Sequence, residues 1–231
     1  RLPRNRLHAQ DRHPVFEIKE MDYGLSIGAR RNAEKQNFYW RITQFLLPFY
    51  TMIPPVGQFE HSGEQPYNGH AWVPIDNYNT WTWSFGVHPH QDYDETTYKF
   101  LAGDKGMWGP IDENSIPLRN KANDYLIDRN IQKKKSFTGI DGIPNQDAAV
   151  QESMGPIVDR SKEHLGTSDS AIIAFRKLLL RLAKELRGGK IPAAASHGDW
   201  YNVRSASVLL DQNVDWQEGS AHLVPGRVEK S

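Results

Sequence analysis

The 231-residue chain contains no cysteine. That absence excludes disulfides, thiolate metal sites and cysteine nucleophiles within these residues. Neither sign of charge is in excess: 28 Lys and Arg balance 28 Asp and Glu, so no overall field favours nucleic acid or an anionic membrane surface. The one basic run, Lys133-Lys134-Lys135 beside Ser136, reads as a solvated loop. Long apolar runs are missing as well. The most apolar stretch, FLLPFYTMIPP from Phe45 to Pro55, carries three prolines and falls far short of the roughly 20 residues a spanning helix needs. A soluble, cytoplasmic protein with no nucleic-acid or membrane partner is expected. No Gly-x-Gly-x-x-Gly fingerprint and no Gly-Lys-Ser/Thr phosphate loop is present, so no nucleotide is implied. Ser196, His197 and Asp199 stand too close in sequence to form a triad by themselves, and a hydrolase is disfavoured. The chain opens at Arg1 without a methionine or a signal-like segment, and a piece of a longer protein is expected.

What is present is enough for a core: 38% hydrophobic and 11% aromatic residues give a globular composition, and a single domain is expected. From Val15 to Pro55 the pattern is strand-like, alternating in VFEIKEMDYGLSIGARR and rich in aromatic and β-branched residues in NFYWRITQFLLPFYTMIPP. Alternation sets Tyr39, Arg41, Thr43 and Phe45 on one face of a strand. Gly69 to His88 holds two more strands around Asp76-Asn77, with Asn79, Trp81 and Trp83 on a shared face. His90 to Asn145 reads as loop-rich. A helix is opened by Ser168 or Asp169 and closed by Gly188-Gly189, with Ile172, Phe175, Leu179, Leu182 and Leu186 at three- and four-residue spacing. Asp199 to Leu210 reads as a last strand. Strands first and helices late, with the sheet covered on one face, make an α+β arrangement.

Two local patterns carry chemistry. His88-Pro89-His90, with Glu95 five residues on, loosely resembles a cupin metal motif; its ordinary alternative is a polar turn at a strand end. The other is Gln146-Asp147 in GIPNQDAAVQESMGPIVDRSKEHLG, Gly142 to Gly166, a helix entry broken at Gly155-Pro156 and followed by Asp159, Arg160, Glu163 and His164. A carboxylate at a helix entry ordinarily complements exposed N–H groups and the helix dipole. Here Ala148, Ala149 and Met154 keep the surroundings small and apolar, and Glu152 and Asp159 add acid at later turns. Such an aspartate also suits a facial triad of two histidines and a carboxylate around non-haem iron(II). Composition alone leaves both readings open.

A resemblance bears on the choice. YGLSIGARRNAEKQNFYWRITQFLLPFYTMIPP, HAWVPIDNYNTWTWS and NDYLIDRNIQKKKSFTGIDGIPNQDAAVQESMGPIVDRSKEHLGTSDSAIIAFRKLLL together resemble the catalytic domain of Rieske oxygenases of the phthalate 4,5-dioxygenase and phenoxybenzoate dioxygenase type, from about Asp11 to Leu210. The resemblance implies a helix-grip fold, a curved antiparallel sheet around a long C-terminal helix, with the iron and substrate cavity between them. It implies that Asp147 is the carboxylate ligand of a mononuclear Fe(II), and it assigns no other ligand. Family members also carry a Rieske [2Fe-2S] domain and an aspartate followed by two close histidines; the cluster has no cysteine here, and His8 and His13 do not match the histidine motif. Residues 1–231 are therefore expected to be the C-terminal part of the catalytic domain, without the N-terminal Rieske domain.

The implied activity is dioxygen-dependent hydroxylation or O-dealkylation of an aromatic, carboxylated substrate, with electrons from a reductase and subunits in a homo-trimer or larger homo-oligomer. A buried arginine would suit such a carboxylate. Arg41 is the first candidate and Arg31 the second, with Asn79 and Trp81 as further cavity residues. Two other classes stay open: a metal-free helix-grip ligand-binding module, and a cupin-like metalloenzyme using His88 and His90.

Overall fold

The computed structural model describes residues 7, 11–55, 66–88, 91–102 and 109–225. In chain order the elements are β1 (Val15–Met21), β2 (Gly24–Asn32), β3 (Asn37–Leu46), β4 (Tyr50–Ile53), β5 (Tyr67–Pro74), β6 (Thr80–Val87), α1 (Glu95–Ala102), a 3-10 segment (Lys121–Leu126), α2 (Arg129–Lys134), α3 (Ile143–Ser153), α4 (Ser170–Arg187), β7 (Ala206–Asp211) and α5 (Trp216–Ser220). Contacts divide the chain into two compact units, residues 1–90 with 164–231, and residues 91–163.

The first unit is built on a seven-stranded antiparallel sheet in the order β1-β2-β3-β4-β5-β6, with β7 also paired to β3. The sheet forks at β3: Asn37 to Ile42 pairs with β7, whereas Gln44 to Leu46 pairs with β4. Side chains stitch the fork. Ser205 Oγ donates to the Ile53 carbonyl (2.7 Å), Ser207 Oγ to that of Pro55 (2.5 Å) and Arg41 Nη2 to that of Pro54 (3.0 Å). Pro54 and Pro55 have no N–H with which to extend the β4 ladder, and side-chain donors take up the carbonyls at this end of the strand. Buried Gln44 accepts from the Tyr23 hydroxyl (2.7 Å) and donates to the Arg204 carbonyl (3.4 Å).

Both faces of this sheet carry apolar clusters, where sequence reading expects cover on one. On one face α4 sets Ala174, Phe175, Leu178, Leu179 and Leu182 against Ile18, Leu25, Ile27, Phe45 and Leu47, with the Phe45 and Phe175 rings edge to face at 4.7 Å. On the other, Trp40, Ile42, Ala206 and Val208 pack against Trp216 and Leu223, and the two indoles stack at 5.6 Å. Gly28 permits this approach, because a Cβ there would lie 2.9 Å from the Trp40 ring and 3.2 Å from that of Trp216. The α4 stripe differs from the expected one at its ends: Ile172 and Leu186 are exposed and Leu178 is buried. The expected strand from Asp199 begins only at Ala206, because Gly198–Tyr201 forms a 3-10 turn.

The second unit is held differently. Asp128 caps α2 by accepting from the Asn130 and Ile131 amides (2.8 and 2.9 Å), and Tyr125 and Ile140 are buried there. Before α2 the chain makes a left-handed turn in which Asp124, Tyr125 and Leu126 have φ of 50°, 54° and 51°. Left-handed helical backbone costs an L-residue roughly 1–2 kcal/mol, so three in succession need support from neighbours. The Tyr125 amide donates to the Asn120 carbonyl (2.9 Å), Asn123 Nδ2 to Leu118 O (2.7 Å) and Arg119 Nη1 to Tyr125 O (3.3 Å). Where sequence reading sees loop from His90 to Asn145, α1 and α2 are short helices whose ends are fixed by aspartate caps.

Candidate functional site

Helix α3 brings Asp147 to the surface, and the start of the helix bears on the capping reading of that residue. The N-cap is Gly142, whose φ of +82° suits glycine, and Pro144 occupies the first turn. Counted from Ile143, Asp147 is the fifth helical residue; no acid lies in the first turn. Two side chains tie down the entry: Asn145 Nδ2 donates to Asp141 O (2.8 Å) and Gln146 Nε2 to Ile140 O (3.0 Å). Asp147 therefore does not cap α3, because it stands beyond the first turn and no side chain caps the entry.

The surroundings of Asp147 are apolar and open. Ile143, Asp147, Val150 and Met154 follow four-, three- and four-residue spacing, so they share a face. Ile143 and Val150 are 64% exposed and Met154 54%. Among the described residues nothing donates a hydrogen bond to the Asp147 carboxylate, and no ion pair engages it.

The neighbouring acids are already engaged. Glu152 accepts from the Tyr125 hydroxyl at 2.6 Å. That phenol is pushed up to about 12 by burial and by its bond to the Glu152 carboxylate. Asp159 caps the Arg160–Lys162 turn, accepting from the Ser161 hydroxyl (2.6 Å) and amide (3.1 Å), and these bonds hold its carboxyl below the usual range. Arg160 pairs with Glu163 at 2.8 Å, and His164 is exposed. Among the described residues no three or more His, Asp or Glu side chains converge as a metal site. Among the described residues Asp147 could give a metal ion one carboxylate oxygen, and no second donor joins it. His8 and His90 lie outside the described residues; His13 is exposed, and His88 follows β6.

The arginines lie on the sheet of the first unit. The register opposes Arg31 to Tyr39 and Ala29 to Arg41, so the arginines are diagonal neighbours on the face that α4 covers nearer Leu25 and Phe45. Arg41 gives one N–H to Pro54. Arg31 Nε and Nη1 are buried without a hydrogen-bond partner, an arrangement that costs stability unless a ligand completes it. Asn79 and Trp81 are elsewhere. Asn79 serves the β5–β6 turn through Asp76, and the pairing of Trp81 with Val73 sets it on the opposite face, stacked on Trp83 at 5.5 Å.

Sequence reading missed other side chains on the α4 face. Phe45, Thr51, His70 and Ser84 form one cross-strand row. His70 Nδ1 is 3.1 Å from Ser84 Oγ, and Trp72 Nε1 donates to Thr51 Oγ1 at 2.9 Å. Strict alternation through HAW would have paired His70 with Trp72, but their partners needed the register. Sequence reading expects no Gly-x-Ser-x-Gly elbow, although Gly24-Leu25-Ser26-Ile27-Gly28 spells that pattern. Ser26 is buried within β2, not at a strand-to-helix turn, so no nucleophile elbow forms.

The family model "LigXa C-terminal domain like" matches residues 6–230. The chain is 32% identical over 223 residues to the phthalate 4,5-dioxygenase oxygenase subunit of Pseudomonas putida, covering 93% of this chain and 48% of that protein. It is 31% identical over 236 residues to the 3-chlorobenzoate-3,4-dioxygenase oxygenase subunit of Comamonas testosteroni, covering 93% and 52%. The chain thus spans about half the length of these relatives. With a family match over nearly its whole length, on an α+β fold consistent with a helix-grip, the chain belongs to the LigXa C-terminal domain-like family.

Proposed function

We propose that this chain is the iron-bearing part of an oxygenase subunit that hydroxylates or O-dealkylates a carboxylated aromatic. The observation that carries the reading is Asp147: a carboxylate with no local task, on an exposed apolar face, in a family whose relatives are named oxygenase subunits. Mononuclear Fe(II), when bound, supplies dioxygen activation, and two further nitrogen ligands come from outside the described residues. Since the chain has no cysteine, the proposal assigns a [2Fe-2S] Rieske cluster, the reductase that feeds it and assembly into a homo-oligomer to the complete enzyme.

Both relatives are named for aromatic carboxylates. Arg31 and Arg41 are the proposed partners of the substrate carboxylate, Arg31 foremost because two of its buried N–H groups are uncommitted. A guanidinium holds a carboxylate by charge-assisted hydrogen bonds. Asn79 and Trp81, on the turn and on the opposite face, are left outside this role.

In the complete subunit, Asp147→Ala should abolish mononuclear iron binding and hydroxylation while the Rieske absorption spectrum persists; normal iron content and turnover would overturn the assignment. Arg31→Gln should raise KM for a carboxylated aromatic about 10- to 100-fold with iron content intact. An equal loss for an uncharged aromatic would refute the carboxylate role.

A further inference from the structure

The left-handed turn at Asp124–Leu126 is the most strained stretch of non-glycine backbone described, and backbone of this kind persists only where neighbours over-determine it. Here they do. Besides the bonds already given, Asn120 Oδ1 accepts from the Ala122 amide (3.0 Å), Asn123 Oδ1 from the Asn120 amide (3.1 Å), and Asn120 Nδ2 donates to Pro117 O (2.9 Å). The product of this arrangement is one contact. Tyr125, only 7% exposed, presents its hydroxyl to Glu152 in the last turn of α3.

Helix α3 needs such a contact. Of its 11 residues only Asn145 is buried, so apolar packing does little to fix its rotation or its axis. Its first turn is tied through Asn145 and Gln146, and its last through Glu152 to Tyr125. Asp147 lies between the two anchors. A phenol–carboxylate hydrogen bond is short and directional, and at the far end of a three-turn helix it fixes how the intervening face is turned.

We propose that Tyr125 is a positioning residue for the Asp147 carboxylate, acting through Glu152 and the strained turn that holds the phenol. The proposal rests on Asp147 being a metal ligand. The strain explains itself on this view: a relaxed turn would lose the aim of Tyr125, and with it the orientation of α3.

The test uses the complete oxygenase subunit with Co(II) as a spectroscopic probe at the mononuclear site, in wild type and in Tyr125→Phe, Glu152→Ala, Glu152→Gln and Asp147→Ala. Glu152 is exposed, so its variants keep the test open if Tyr125→Phe does not fold. Tyr125→Phe and Glu152→Ala should each weaken metal retention against a chelator on the order of 10-fold, the scale of outer-shell losses. Each should shift the Co(II) ligand-field bands and speed amide hydrogen exchange over residues 147–153. A variant combining Tyr125→Phe with Glu152→Ala should be no worse than either single one, and Glu152→Gln, which keeps an acceptor oxygen, should recover most of the retention. Wild-type retention and bands in both Tyr125→Phe and Glu152→Ala would overturn the positioning role even if exchange quickens. Full retention in Asp147→Ala would overturn the ligand assignment itself, a separate failure that the same series reveals.

Discussion

The two units of this chain are held together by different forces. In the first, indole, phenyl and aliphatic side chains cover both faces of a sheet, and buried Gln44 and Ser205 have named partners. In the second, short helices are fixed by caps and side-chain-to-carbonyl bonds, and large apolar residues such as Ile143, Val150 and Phe137 stand in the open. The difference teaches how Asp147 is held. Burial fixes the scaffold, whereas the uncommitted carboxylate is carried by the unit that apolar burial holds least, so its geometry depends on individual hydrogen bonds.

Three substitutions would break or sharpen this contrast. The largest effect is expected for Trp216→Ala, which empties the stack on Trp40 and strands the Glu17 carboxylate that accepts from the indole N–H at 3.0 Å. A loss of about 3–5 kcal/mol is expected, read by urea unfolding followed in far-UV circular dichroism. Next is Asn120→Ala, which removes the cap beneath the left-handed turn. It should cost about 1 kcal/mol, with hydrogen exchange quickening at residues 120–127 and β3 unaffected. The smallest change is expected for Val150→Ser, within about 0.5 kcal/mol in this chain. A large loss there would mean the exposed face of α3 is core after all, and the contrast would collapse.

Legibility in the sequence follows the same division. Strands β1 to β6 were readable because alternation and β-branched or aromatic content are local signals, and α4 was readable from its spacing and its Gly188-Gly189 stop. The readings slipped where tertiary pairing decides. The expected last strand starts at Asp199, but β7 begins only at Ala206, after the Arg204 amide has bonded to Val224 O. Asp124 and Tyr125 carry no signal that Asn120, Asn123 and Arg119 will hold them left-handed. As for the site, Asp147 was named through resemblance, and its fifth place in α3 is what removes the capping alternative. Arg41 stood ahead of Arg31 because a strand pattern shows faces but not which guanidinium is already spoken for.

The fork at β3 also sets a schedule for the growing chain. The edge that β7 will occupy is complete once Ile42 is made, yet its partner Ala206 follows 164 residues later (206 − 42). At roughly 5–20 residues per second of synthesis, that edge waits on the order of 8–30 s, its unpaired amides and carbonyls open to any other strand. The prolines that close β4 and the serines that later reach them mark the two sides of that interval: the first half of the sheet is left with a seam that only the last strand can sew.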